Sequence, residues 1–222
     1  MSKKLTEKEL KAIARQLGHP QGEQGIRTAE KMAQNNAGMT LASMAALDLQ
    51  SGEQVLEIGP GNASHLQDLL QKASGLHYIG VDISQTMVQE AARINAAAVE
   101  EKKALFLFSD GAHIPMADHY ADKIFTVNTL YFWSEPLVYA KEIHRVLRPG
   151  GKFCLTFADR DFMESLPFTS FGFNLYHLDQ VLALLTQAGF KVLKTDRHSE
   201  TLSSNATGEQ VERIFFNVVA EA

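Results

Sequence analysis

The stretch Val55-Leu56-Glu57-Ile58-Gly59-Pro60-Gly61-Asn62-Ala63 decides the fold. A short apolar run suited to a buried strand leads straight into a glycine-x-glycine turn, and a helical pattern follows over 64–73. Glycine at such a turn lets a bound molecule lie against the backbone, because no side chain stands in the way. Taken alone the turn is a weak signal, since many α/β proteins have one. Glu57, two residues before the first glycine, narrows it. A carboxylate at that rim repels a dinucleotide pyrophosphate and suits a cationic amino-acid group.

Downstream of this turn, strand-like and helical runs alternate. Strands are predicted at 54–58, 77–82, 104–109, 123–127 and 151–157, and helices at 64–73, 86–99 and 136–147. That alternation predicts a parallel sheet covered by helices on both faces. Right-handed crossovers then gather the loops that follow the strands on one rim, where ligands bind. The tail differs. An apolar helix over 178–188 is closed by Gly189, and two strand-like runs, 190–196 and 213–220, have only a loop between them, which predicts an antiparallel pair. The small, polar run 203–208 reads as a surface loop. Upstream, Leu5, Leu10, Ile13 and Leu17 recur at helical spacing and stop before Gly18-His19-Pro20, and further helices over 27–47 break near 35–38. Residues 1–50 are therefore expected to form a helical cap, and 51–222 the ligand-binding domain.

A chain of 222 residues with 45% hydrophobic content is long enough for one well-buried α/β core. The net charge is −5 and the 21 Lys and Arg are scattered, so no phosphate-tracking surface is expected and nucleic acid is not a predicted partner. The single cysteine, Cys154, excludes an intramolecular disulfide and reads as a buried strand residue. The first eight residues lack the apolar core of a signal peptide, and no apolar run of membrane-spanning length occurs. A cytoplasmic protein without membrane attachment is the expectation. Oligomeric state is not legible.

Two further carboxylates fall at strand ends. In Tyr78-Ile79-Gly80-Val81-Asp82-Ile83-Ser84, Asp82 closes the second strand, where a carboxylate accepts hydrogen bonds from both hydroxyls of a ribose. The plainer role, capping the next helix, is filled by Ser84. In Phe106-Leu107-Phe108-Ser109-Asp110-Gly111-Ala112, an acid followed by two small residues leaves room for a flat ring. Asp110 is placed to accept from an exocyclic amine, and the Ala112 amide to donate to the ring.

From about Gly52 to the carboxyl end, the chain resembles the class I S-adenosylmethionine (SAM)-dependent methyltransferases. The resemblance rests on the ExGxG turn over 57–61, Asp82, Asp110, Asp122-Lys123-Ile124-Phe125, Val146-Leu147-Arg148-Pro149-Gly150-Gly151 and Leu185-Thr186-Gln187-Ala188-Gly189-Phe190. It implies a three-layer, Rossmann-like α/β sandwich whose seven-stranded, mostly parallel sheet has order 3-2-1-4-5-7-6 with the last strand antiparallel. It implies SAM as cofactor, leaving as S-adenosylhomocysteine (SAH). The implied cofactor contacts are Glu57, Gly59, Pro60, Gly61 and Asn62 at the turn, Asp82 and Ile83 at the ribose, Asp110, Gly111 and Ala112 at the adenine, and Asn128 and Leu130 on the methionine side. Ala63 departs from the pattern, standing where relatives often have a third glycine, and a slightly tighter turn is expected there. Met32 and Asn36 in the cap are further candidates.

Methyl transfer from a sulfonium is an in-line displacement, so alignment and exclusion of water are the main tasks and no protein nucleophile is required. His113, Tyr131 and His177 are the candidates should a base be needed. The run Asn128-Thr129-Leu130-Tyr131 is not Asn-Pro-Pro-Tyr, so methylation of nucleobase or glutamine amide nitrogens is not favoured. The aromatic-rich stretch 162–176, with Phe168, Phe171, Phe173 and Tyr176, joins Tyr131 and Trp133 in predicting a partly apolar pocket for a small-molecule methyl acceptor. Tyr131, Trp133, Phe171 and Tyr176 are its candidate lining. His113, Asp118 and His119 share a loop but lack a fourth ligand, so no metal is expected. Two rival readings are a nicotinamide-dependent oxidoreductase, opposed by Glu57, Asp110 and the missing third glycine, and a non-catalytic SAM-binding partner protein.

Overall fold

The computed structural model describes residues 5–203 and 210–222; most of the run read as a surface loop, 204–208, lies outside them. Strands β1 (Gln54–Ile58), β2 (His77–Asp82), β3 (Ala104–Phe108), β4 (Ala121–Val127), β5 (Leu147–Ala158), β6 (Lys191–Ser203) and β7 (Gln210–Glu221) form one sheet of order β3-β2-β1-β4-β5-β7-β6. Strands β1 to β5 pair in parallel, and β7 runs antiparallel to both β5 and β6. The expected order and the single reversed strand are both found. The central strands read as continuous apolar runs because both of their faces are covered. On one face Leu56, Ile124, Phe153 and Leu155 meet α7 (Pro136–Val146) and α9 (Leu178–Gln187). On the other, Val55, Phe125 and Cys154 meet α3 (Ala37–Ala46) and α4 (Leu66–Leu70). Cys154 is fully buried, as its sequence context predicts.

Three helices precede the sheet: α1 (Glu7–Gly18), α2 (Gly22–Asn35) and α3. A reciprocal capping box starts α1, with Glu9 N donating to Thr6 Oγ1 at 3.3 Å and Thr6 N donating to Glu9 Oε2 at 2.7 Å. The break between α2 and α3 falls at Asn36, inside the predicted interruption. Arg213 on β7, 5% exposed, fastens that break to the sheet. Its Nη2 donates to Asn35 O at 2.6 Å, its Nη1 to Asn36 Oδ1 at 2.9 Å, and Nη2 and Nε both donate to Glu200 Oε1.

Several predicted elements differ from those found. The helix expected over 64–73 is only the five residues of α4 (Leu66–Leu70). The helix expected over 86–99 is two, α5 (Gln85–Ile94) and α6 (Ala96–Glu100), because Asn95 turns its buried amide toward Ala63 O (3.1 Å) and Ala91 O (3.0 Å). The terminal strands are longer than predicted. Beyond Ala158, β7 leaves β5 and pairs with β6 alone, from Ser199↔Ile214 to Ser203↔Gln210. That two-stranded extension runs past the end of β5, so its sequence lacks the apolar signal of the strands covered on both faces.

Candidate functional site

The carboxyl ends of the parallel strands open beneath α1 and α2 into a cavity of about 1690 Å³. The turn after β1 forms its floor. Gly59 and Gly61 have φ of +68° and +58°, a region that disfavours other residues. A Cβ on Gly59 would stand 2.5 Å from Thr129 Cγ2, whereas one on Gly61 would meet nothing within 4 Å. The first glycine is therefore needed for packing, and the second leaves bare backbone facing open space. Ala63 is fully buried at φ +49°, a conformation glycine adopts without strain, and its carbonyl is held by Asn95.

Glu57 on β1 is 3% exposed, and its charge is met inside the protein. Oε2 accepts the Tyr78 hydroxyl at 2.5 Å and lies 2.7 Å from His65 Nε2. Burial pushes the His65 imidazole toward its neutral form, but the charge and hydrogen bond of Glu57, with Asp68 behind them, outweigh burial and leave its pKa raised. Burial, then Glu57, holds the Tyr78 hydroxyl well above its usual pKa. The unit that fronts the cavity is thus His65–Glu57–Tyr78 rather than a free carboxylate.

Asp82, 8% exposed, accepts from Ser84 N at 2.8 Å and from Gly61 N at 3.3 Å. Burial lifts its pKa to about 6, against the lowering effect of those amides. Ser84 caps α5 by accepting from Met87 N at 3.2 Å, which leaves Asp82 free of that role. Asp110 is exposed, and its Oδ1 accepts from His113 N (2.7 Å) and Ala112 N (2.9 Å), which lower its pKa. The Ala112 amide is therefore directed at Asp110. Asn128 holds φ +58° at the end of β4, a left-handed conformation that asparagine adopts more readily than other non-glycine residues. It is pinned there by Tyr131 Oη and Ala158 N, which donate to its Oδ1 at 3.1 and 3.3 Å, and by Met39 Sδ, which accepts from its Nδ2 at 3.3 Å.

Glu57, Gly59, Pro60, Gly61, Asn62, Asp82, Ile83, Asp110, Gly111 and Asn128 all line the cavity, as do Met32 and Asn36 of the cap. Ala112 and Leu130 do not; Leu130 is fully buried in the core. Tyr131 and Trp133 line it together with Phe168 and Phe173, while Phe171 and Tyr176 lie off its wall. Phe171 sits under the Lys11 ammonium, 5.4 Å from the ring centroid. His113 pairs with Glu142 at 2.7 Å, and neither it nor His177 lines the cavity. The Tyr131 hydroxyl accepts from Ala158 N at 2.7 Å and also lies 3.0 Å from Ala158 O, which shares its single proton with Asn128, and burial raises its pKa.

His65, Asn95, Thr129 and Arg213 have no motif in the sequence and are recognised only by what they touch. His113, Asp118 and His119 are engaged separately, by Glu142, Arg145 and Leu147 O. Among the described residues, the side chains that bring three ligand atoms within 4.8 Å of one another are Asp159, Asp161 and His177.

Residues 56–155, which run from β1 into β5 and hold the glycine turn, Asp82, Asp110 and Asn128, match the family model of a methyltransferase domain. The chain has the fold of the class I SAM-dependent methyltransferases. The chain is 29% identical over 161 residues to the uncharacterized methyltransferase YdaC of Bacillus subtilis, covering 72% of its own length and 83% of YdaC. It is 26% identical to the methyltransferase GfsG of Streptomyces halstedii over 77% of its own length, but spans only 64% of that protein. In fold it is similar to a chain of the complex between the Haloferax volcanii Trm112 methyltransferase activator and a methyltransferase, with TM-score 0.75, 19% identity and coverage of 96% and 97%. Among the described residues, no helix is long and apolar enough to cross a membrane.

Proposed function

We propose that the cavity binds SAM against the turn 57–62 and that its methyl group passes to a small-molecule acceptor, leaving SAH. The observation that carries this reading is the buried Asp82 carboxylate, which reaches the Gly61 amide and fronts the cavity beside the open space above Gly61. A buried carboxylate without a cationic partner is costly, and donation from two ribose hydroxyls satisfies it. The bare backbone at Gly61 fits a close-lying ligand.

When bound, SAM supplies a methyl group on a sulfonium, open to displacement by a nucleophile in line with the breaking bond. Asp82 orients the ribose, and Asp110 and Gly111 border the adenine. The His65–Glu57 pair, backed by Tyr78, faces the amino-acid end. Asn128, locked by Tyr131 and Ala158, sets the edge at which the acceptor meets the methyl group. Residues 1–50 act as a cap whose α1 and α2 exclude water from the reaction. The relatives named as methyltransferases support the reaction class.

The test is incubation with methyl-labelled SAM and a cell extract, followed by mass spectrometry. Label in a metabolite, with SAH formed in equal amount, is expected. Cofactor binding with no label transferred to any metabolite would instead indicate a non-catalytic SAM-binding protein.

A further inference from the structure

We infer that the acceptor is a bulky, ring-bearing and largely apolar molecule seated against Phe132, Phe173 and Phe168. This inference rests on the cofactor reading above, because it assigns the part of the cavity which that reading leaves over. At about 1690 Å³ the cavity is larger than the space one ligand takes, since sites for drug-sized ligands run to about 300–1,000 Å³. The strand-end half carries the carboxylates and the glycine turn. The other half is of different chemistry.

Its wall is a run of rings. Phe132 and Phe173 have centroids 4.6 Å apart, Phe173 and Phe168 5.8 Å, and Tyr131 joins them at 6.0 Å from Phe173. The run therefore starts at Tyr131, whose hydroxyl holds Asn128, and leads away from the strand ends. Met163 and Leu166 complete an apolar surface, so a flat hydrocarbon body gains ring contacts along it. The wall is fixed from outside, because Phe132 packs so closely on α1 that a Cβ on Gly18 would stand 2.8 Å from its ring. The buried cation bordering this half, Arg213, already has its hydrogen bonds taken by Glu200, Asn35 and Asn36. Arg27 and Lys31 also line the cavity but are exposed on α2, with Arg27 paired to Glu23. A charged body against the rings would therefore leave water without a buried partner, whereas an apolar one sheds little hydration on entry. A small polar acceptor, such as an amino acid or an oxyanion, would leave the rings facing trapped water.

Trp133 lines the cavity and is the only tryptophan in the chain, so its emission reports occupancy directly. The experiment titrates the neutral aromatic probe N-phenyl-1-naphthylamine into the full chain saturated with SAH. Saturable quenching of Trp133 near one probe per chain is expected, with SAH still bound, and Phe173→Gln should weaken the probe by about tenfold while SAH affinity stays as it was. Phe168→Gln, at a half-buried ring, serves as the second variant should Phe173→Gln fail to fold. The inference is overturned if the SAH-saturated protein does not bind the probe, if the probe expels SAH, or if the folded variants bind it as the parent does. Failure of the parent protein to bind SAH would overturn the cofactor reading itself, so the two failures are distinguishable.

Discussion

His65 Nε2 lies 2.7 Å from Glu57 Oε2, and the same oxygen accepts the Tyr78 hydroxyl, so three side chains from separate elements share one buried charge. Removing one partner of such a pair strands the other, at a cost of about 3–5 kcal/mol when fully buried. His65→Leu is expected to fall at the lower end of that range, because the histidine side chain keeps 17% exposure. Chemical denaturation measures it.

The same pair predicts a pH dependence of stability. The folded pKa of His65 is raised above its ordinary 6.5, so its contribution is complete below that pH and is lost as pH rises through the folded value. Melting temperature should therefore decline above about pH 6.5, and His65→Gln should lack that component. Matching profiles for the two proteins would exclude the ion pair.

Asp82 behaves in the opposite functional sense. Its carboxyl titrates at about 6 and must be ionised to accept two ribose hydroxyls, so SAH affinity should fall below that pH. The limiting slope is about tenfold per pH unit. Asp82→Asn should flatten the profile, and Asp82→Ala should weaken SAH by about 1.5–3 kcal/mol. The raised pKa also means that Asp82 favours folding fully below 3.8, an advantage lost as pH climbs through about 6.

The two turn glycines separate stability from binding. Both have positive φ, so alanine at either adds about 1–2 kcal/mol of backbone strain. Gly59→Ala adds a clash with Thr129 and should lose more stability. Gly61→Ala projects its methyl into the cavity and should lose more SAH affinity relative to its loss of stability. Paired denaturation and binding curves resolve the difference.

Arg213 ties the α2–α3 junction to the β6–β7 ribbon. Arg213→Met should cost about 3 kcal/mol, as expected when Glu200 loses its partner. It should also speed amide exchange across 22–46 more than across β1 and β4. Uniform exchange would show that the clasp does not hold the cap.

The parallel sheet, the terminal antiparallel pair and the three strand-end acids were legible because period, glycine turns and acid placement are local patterns that survive in the sequence, whereas the strand order followed only from the family resemblance. Asp82 could be assigned to a rim because Ser84 visibly takes the capping role. What sequence could not carry was pairing across elements. Nothing near Glu57 in the chain shows that His65 and Tyr78 meet its carboxylate, and nothing near Asn95 shows that it reaches Ala63. The pocket shows the same limit: residues 162–176 are aromatic enough to predict a lining, but only packing decides that Phe168 and Phe173 face inward while Phe171 turns to Lys11 and Tyr176 lies off the wall.

Titration calorimetry with SAH and, separately, with NADH tests the cofactor assignment most directly. Binding of one SAH per chain, with no response to NADH, is predicted. Tight NADH binding with no response to SAH would contradict it.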